Sequence, residues 1–206
     1  WNDPYYEALG LILKVYNLSN LADLFGDIPY TEAYQFTANR TPKFESQADL
    51  QDCFLNDLDS ACLYLSKKPV PSKSGLDKMY GDNVMKWIKF ANSLRLRILC
   101  RYSGMNDGNW AKIQEVIDNP SKYPVMTSNS DNAMIPFQSQ DPYMSFWGQE
   151  KQTATNFQGY RFTERVISMT VEYNSKGKSI FVDPRMAMFG KMGKSDWVGV
   201  VSGCLP

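Results

Sequence analysis

Between Asp141 and Arg161 the chain sets aromatic rings among amides and a guanidinium. Tyr143, Phe146, Trp147, Phe157 and Tyr160 lie among Gln149, Gln152, Asn156, Gln158 and Arg161. Residue types of this kind suit non-covalent capture of a polyhydroxylated ligand such as a sugar. The ring faces stack on CH faces, while amides, carboxylates and Arg bond to hydroxyls. The stretch is long and shows no sustained hydrophobic period, which favours a functional loop over a simple connection. We take Tyr143, Phe146, Trp147, Gln149, Asn156, Tyr160 and Arg161 as candidate ligand contacts, and Trp197 in the tail as a further one of the same kind. The competing reading is that some of these rings anchor the loop to the rest of the fold.

The chemistry the chain lacks is equally informative. It has no histidine, so Ser-His, Cys-His and HExxH machinery cannot be carried by this chain alone. Catalysis would have to rest on carboxylates, Lys, Tyr or a cofactor. A glycoside hydrolase needs two carboxyl groups about 5–10 Å apart, and sequence order does not show which Asp or Glu converge. Four cysteines (Cys53, Cys62, Cys100, Cys204) are too dispersed for a disulfide framework. Cys53 and Cys62 fall on opposite sides of one helix, about 13 Å apart along its axis, and cannot pair. With no CxxC and no histidine, no zinc site is expected, and we assign no catalytic residue, metal or cofactor.

Lys plus Arg and Asp plus Glu number 22 each, giving a formal net charge of zero, and no basic stripe marks a nucleic-acid face. The longest apolar run, Ala8 to Leu13, is far short of the roughly 20 residues that span a bilayer. The chain lacks an initiator Met and reads as an excerpt or processed product, so the absence of a targeting segment says nothing about location.

The elements that must position these residues are mostly helices. Asp3 and Pro4 open a helix to Phe25 that is apolar all round, the pattern of a central, covered helix, and Gly26 with Pro29 ends it. Ser46 opens a second, to Lys67, with Leu50, Phe54, Leu58, Ala61 and Leu65 inward. A third runs from Lys86 to Tyr102. Its stripe Trp87, Ala91, Leu94, Ile98 and Tyr102 is opposed by Leu96 and Cys100, so it should be sandwiched between helices. Asn109–Asn119 is a shorter helix. After Pro120 the chain turns irregular, with a short strand expected at Met134–Phe137, a last helix at Thr163–Tyr173, and a loop-rich tail with short strands. The fold class is mainly α: residues 1–206 as one domain, with a paired-helix, tetratricopeptide-like scaffold over 1–120 and an irregular ligand-binding region with few short strands over 121–206.

Three segments in this order resemble the SusD/RagB family of outer-membrane nutrient-binding lipoproteins. They are Leu21-Ala-Asp-Leu-Phe-Gly-Asp-Ile-Pro-Tyr30-Thr-Glu-Ala33; Tyr80-Gly-Asp82 with Lys86-Trp-Ile-Lys-Phe-Ala-Asn-Ser-Leu-Arg-Leu-Arg97; and Asp183-Pro-Arg185 followed by Trp197-Val-Gly199. The resemblance covers nearly the whole chain, although family members are considerably longer, so this is similar to their central part. It implies a non-catalytic, cell-surface binding protein for oligosaccharides or polysaccharides, held at the extracellular face of the outer membrane by a lipidated N-terminus not present in this chain. The implied partner is a SusC-like TonB-dependent transporter, and no nucleic acid is involved. Some relatives serve peptide uptake, which is the alternative ligand class. A helical module that only docks a protein partner is a third reading, separated from the first by sugar binding. The motifs themselves read as structural: Gly26–Pro29 as helix stop and turn, Trp87 as core, the arginines of the third helix as partners of scaffold carboxylates, and Asp183–Arg185 as a fixed turn.

Overall fold

Asp3 starts the first helix by local chemistry: its Oδ1 accepts from the Tyr5 and Tyr6 amides at 2.9 and 3.4 Å, and Pro4 takes the first helical position. The computed structural model describes residues 3–137, 161–192 and 196–200. It consists of two compact units, Trp1–Ile135 and Pro136–Pro206. The first holds α1 (Pro4–Phe25), α2 (Gln47–Ser66), α3 (Val84–Arg101) and α4 (Asn109–Asp118). Ser46 caps α2 through the Asp49 amide at 3.3 Å, and Asn83 caps α3 through the Lys86 amide at 3.1 Å. Gly26, at a φ of 81°, ends α1.

Helices α1 and α2 are antiparallel. Gln47, at the start of α2, donates to the Ala22 carbonyl near the end of α1 at 3.0 Å, and Lys14 meets Asp57 at mid-length at 2.8 Å. Helix α3 returns antiparallel to α2, with Arg95 on Asp59 at 2.6 Å and the Cys62 thiol 3.9 Å from Asn92. Trp87, Ala91, Leu94 and Ile98 of α3, and Tyr102 at its C-cap, enter the main core with Tyr5, Ile12, Phe54 and Leu58. A second cluster joins Leu55 and Leu99 to Ile113 and Val116 of α4, with Leu96 against it. The expected sandwich exists, with one change: Leu99 carries the second face, whereas Cys100 is exposed, because α4 lies on the Leu99 side of the helix.

Helix α1 departs from its expectation. It buries Tyr5, Ala8, Leu9, Ile12, Val15 and Ala22, but Leu24 and Phe25 are 78% and 73% exposed. Among the described residues its main packing partners are α2 and α3, and its C-terminal end is left uncovered.

The segment at Gly26–Ala33 is structural. Ile28 bridges Glu45, whose carboxylate accepts from the Tyr30 amide at 2.6 Å and from the Thr31 amide at 3.1 Å. Tyr30 is buried, and its hydroxyl donates to Asp57 at 2.5 Å. Burial, then the bond to the Asp57 carboxylate, pushes the Tyr30 phenol far above its ordinary value. The α3 arginines find scaffold partners as expected: besides Arg95 on Asp59, Arg101 meets Asp23 at 3.2 Å and Arg97 bonds Asn20 at 2.5 Å. Residues 121–135, though irregular, are strapped to α3. Asn92 donates to the Pro124 carbonyl at 3.1 Å, the Met126 amide to Ser93 at 2.9 Å, and Lys89 to buried Asp131 at 2.9 Å. Met134–Phe137 is not a strand, and Met134, Ile135 and Phe137 are exposed with no strand beside them among the described residues.

In the second unit Thr163 caps α5 (Glu164–Thr170), accepting from the Val166 amide at 3.3 Å. The expected helix to Tyr173 stops early. Thr170 and Val171 are β-branched, and Val171 pairs with Val182 in a hairpin of β1 (Val171–Tyr173) and β2 (Ser179–Val182). Asn174 and Gly177, the latter at a φ of 73°, turn the hairpin. A single turn, α6 (Met186–Phe189), follows. The core here is Ile167, Val171 and Met186, with Phe162, Val182 and Trp197 against it. The described residues are thus mainly α-helical, with paired helices and one short two-stranded sheet. No described helix is long and apolar enough to cross a membrane.

Candidate functional site

Of the candidate contacts, Tyr143, Phe146, Trp147, Gln149, Asn156 and Tyr160 lie outside the described residues. Arg161 is exposed, next to Phe162. Trp197 is half-buried and packs its ring 6.2 Å from that of Phe162, tilted by 53°. Its amide donates to Asp196 at 2.8 Å, and its carbonyl accepts from the Tyr173 hydroxyl. The indole therefore serves as a wall of the small core.

Beside that wall lies a concavity of about 410 Å³ lined by Phe162, Val166, Thr170, Met186 and Phe189, with Asp183 and Arg185 also on it. Two glycines make the arrangement possible. A Cβ on Gly190 would lie 2.3 Å from the Phe162 ring, and one on Gly199 would lie 2.4 Å from the Glu164 amide nitrogen. Close approach at Gly199 lets Val200 bond to both ends of the α5 start: the Glu164 amide donates to the Val200 carbonyl and the Val200 amide to the Phe162 carbonyl, each at 2.8 Å.

Asp183 and Arg185 form a fork within one turn. Arg185 donates to Asp183 from its amide at 2.9 Å, from Nε at 3.0 Å and from an Nη at 2.6 Å. These bonds hold the Asp183 carboxyl down at about 2, so the pair stays ionised at every physiological pH. The fixed turn expected at Asp183-Pro-Arg185 is present, and it also puts an ion pair on a concavity walled by two rings. A ring-walled hollow with a planar ion pair can hold a ligand whose faces are apolar and whose edges carry hydroxyls. Phe162 and Phe189 were not singled out from the sequence. Phe162 stands next to Arg161, but the approach of Phe189 depends on the turn after Asp183 and on Gly190, which no local period reveals.

Among the described residues no group of three or more Asp, Glu, Cys or His could hold a metal ion.

The chain matches the family model for SusD-like starch-binding proteins associating with the outer membrane over residues 2–204, and it belongs to that family. Solved structures agree. A SusD homologue from Bacteroides fragilis is 28% identical over 69% of this chain and 30% of its own length, with a TM-score of 0.59. A Bacteroidetes SusD-like protein is 34% identical over 71% and 25% of the two chains, with a TM-score of 0.54. An outer membrane protein of Bacteroides vulgatus, described as involved in nutrient binding, is 28% identical over 68% and 31%, with a TM-score of 0.58. The chain thus spans between 25% and 31% of the length of these three relatives. No curated protein matches it.

Proposed function

We propose that this chain is the central part of a non-catalytic glycan-binding protein on the extracellular face of the outer membrane. In this reading the protein is held there by a lipidated N-terminus and delivers oligosaccharide to a SusC-like TonB-dependent transporter. Membership of a family described as starch-binding and outer-membrane-associated carries the reading. The aromatic and amide-rich segment from Tyr143 to Arg161 supports it, as does the hollow beside it in sequence with Phe162, Phe189 and the Asp183–Arg185 pair on its walls. The helices of the first unit serve as frame: their family motifs are consumed by caps, core and ion pairs.

Affinity electrophoresis in polysaccharide gels, followed by calorimetry with oligosaccharides, tests this. Retardation by at least one polysaccharide is expected, and Tyr143→Ala or Trp147→Ala should weaken it while leaving association with the transporter intact. No response across a broad glycan panel, with binding of peptides instead, would move the ligand class to peptides. The opposite pattern in the two variants would relocate the site.

A further inference from the structure

The first unit carries a concavity of its own, of about 250 Å³, where α2, α3 and α4 meet. Its apolar floor is Leu55, Leu99 and Val116, all buried. Along its α2 wall stand Asp52, Asn56 and Asp59, spaced three and four residues apart on one helix face. Opposite are Lys112 and Glu115 of α4 and the ring of Tyr123.

The feature that sets this groove apart from an ordinary surface furrow is Arg95. It is only 7% exposed, and its guanidinium lies 5.5 Å from the centre of the Tyr123 ring. A charge so buried ordinarily has its donors fully engaged. Here one Nη donates to Asp59 at 2.6 Å, but that carboxylate is on a side chain 62% exposed to water. The buried Nε–H has no hydrogen-bond acceptor among the described residues. On its core side the guanidinium has the Cys62 sulfur beside it, a weak acceptor at best.

We propose that this groove is a second carbohydrate subsite, taking a single neutral pyranose ring with Arg95 as the donor at its base. Charge and size choose the ligand. Asp59 is paired with Arg95 and Glu115 with Lys122 at 2.9 Å, while Asp52 and Lys112 offset each other on the lining, so the groove is close to neutral and favours neither an anion nor a cation. A cation would leave the Arg95 Nε–H without an acceptor. A neutral hydroxylated ring resolves both constraints, because each hydroxyl accepts from Arg95, Lys112 or the Asn56 amide and donates to a carboxylate. The volume, about 250 Å³, falls below the range of sites for drug-sized ligands and matches a single ring. Its CH face would lie on Leu55, Leu99 and Val116. This subsite shares the ligand class of the proposed function but not its residues, since all of it lies in the first unit and the Tyr143–Arg161 segment lies in the second.

The direct test follows the Arg95 side-chain Nε–H resonance in the full chain, labelled with ¹⁵N-arginine and assigned with Arg95→Lys. Titrations use glucose, galactose, mannose and maltose, with N-acetylalanine amide as the peptide-like control. A saturable shift with at least one sugar is expected. The double substitution Asp52→Asn with Asn56→Ala, both at exposed positions, should weaken that affinity about tenfold with an unchanged thermal midpoint. If sugars bind the chain through Trp147 while the Arg95 signal stays still, the subsite is disproved and the proposed function stands. A shift with the peptide-like control alone also overturns it. A sugar shift at Arg95 in a chain that no polysaccharide retards would leave the subsite standing and remove the function.

Discussion

The Trp87 indole N–H donates to Asp77 Oδ2 at 2.7 Å, fastening α3 to the loop that precedes it. The same carboxylate oxygen accepts from the Tyr5 hydroxyl of α1 and from the Asp82 amide, each at 3.1 Å. Its other oxygen accepts from the Met79 and Tyr80 amides at 3.0 Å each. A single buried carboxylate thus joins α1 and α3 to the Tyr80-Gly-Asp82 motif, whose Asp82 sits at a positive φ of 65°. Asp77→Ala should destabilise the first unit by about 3–5 kcal/mol, because several buried donors lose their acceptor at once. Urea unfolding followed by far-UV circular dichroism measures it; a loss no larger than that of a surface substitution would contradict this role.

The same knot sets an acid limit. Burial alone would raise the Asp77 carboxyl, but the bonds from Trp87 and from the Tyr80, Met79 and Asp82 amides outweigh it and lower the carboxyl below its ordinary value. A lowered folded value means that the unfolded chain takes up the proton first. The stabilisation is therefore complete above about pH 4–5 and is lost as pH falls through the folded value. Asp77→Asn should flatten the acid side of the stability profile relative to the parent chain. Parallel profiles for the two would contradict the assignment.

Tyr30→Phe isolates a second fastening. The hydroxyl lies 2.5 Å from Asp57, which also receives Lys14 at 2.8 Å, and the ring packs edge-on against Phe54 at 5.1 Å. Removing one bond to a charged acceptor while keeping the ring should cost about 1.5–3 kcal/mol in urea unfolding. A change under about 0.5 kcal/mol would show that Asp57 is satisfied by Lys14 alone.

The sequence made local features legible and left long-range ones hidden. Asp3, Pro4, Ser46 and Gly26 announce helix ends through bonds made within a few residues, and the Trp87-to-Tyr102 stripe announces a core face through its period. Exposure of Leu24 and Phe25 depends on which elements pack along α1, which the composition of α1 does not record. The stop at Thr170 depends on Val171 finding Val182 across a turn, a pairing that outcompetes a helical period continuing through Met169 and Tyr173. Asp77, central to the first unit, sits in a polar loop with no pattern around it. In the second unit Arg161 and Trp197 were named from their chemistry, but the concavity next to them is built by Phe162 and Phe189 through close approaches at two glycines.

Gly199→Ala probes one of those approaches. The added methyl would meet backbone at the Thr163–Glu164 link, where no side-chain rotation relieves it, so the Val200 bridge to Thr163 should open. Hydrogen exchange at the Glu164 and Val200 amides should accelerate while amides of α1–α3 keep their protection. Unchanged exchange at both amides would contradict the packing described for the second unit.

Recovery of ligand after calorimetric binding tests the central claim most directly: that a rigid helical frame presents a site which grips a glycan and leaves it intact. An oligosaccharide of a polysaccharide that retards the chain is titrated, incubated with excess protein, released and analysed for new reducing ends. The expected result is saturable binding with the oligosaccharide recovered whole. Either no binding across the glycan panel, or new reducing ends that vanish on changing a single Asp or Glu, would contradict it.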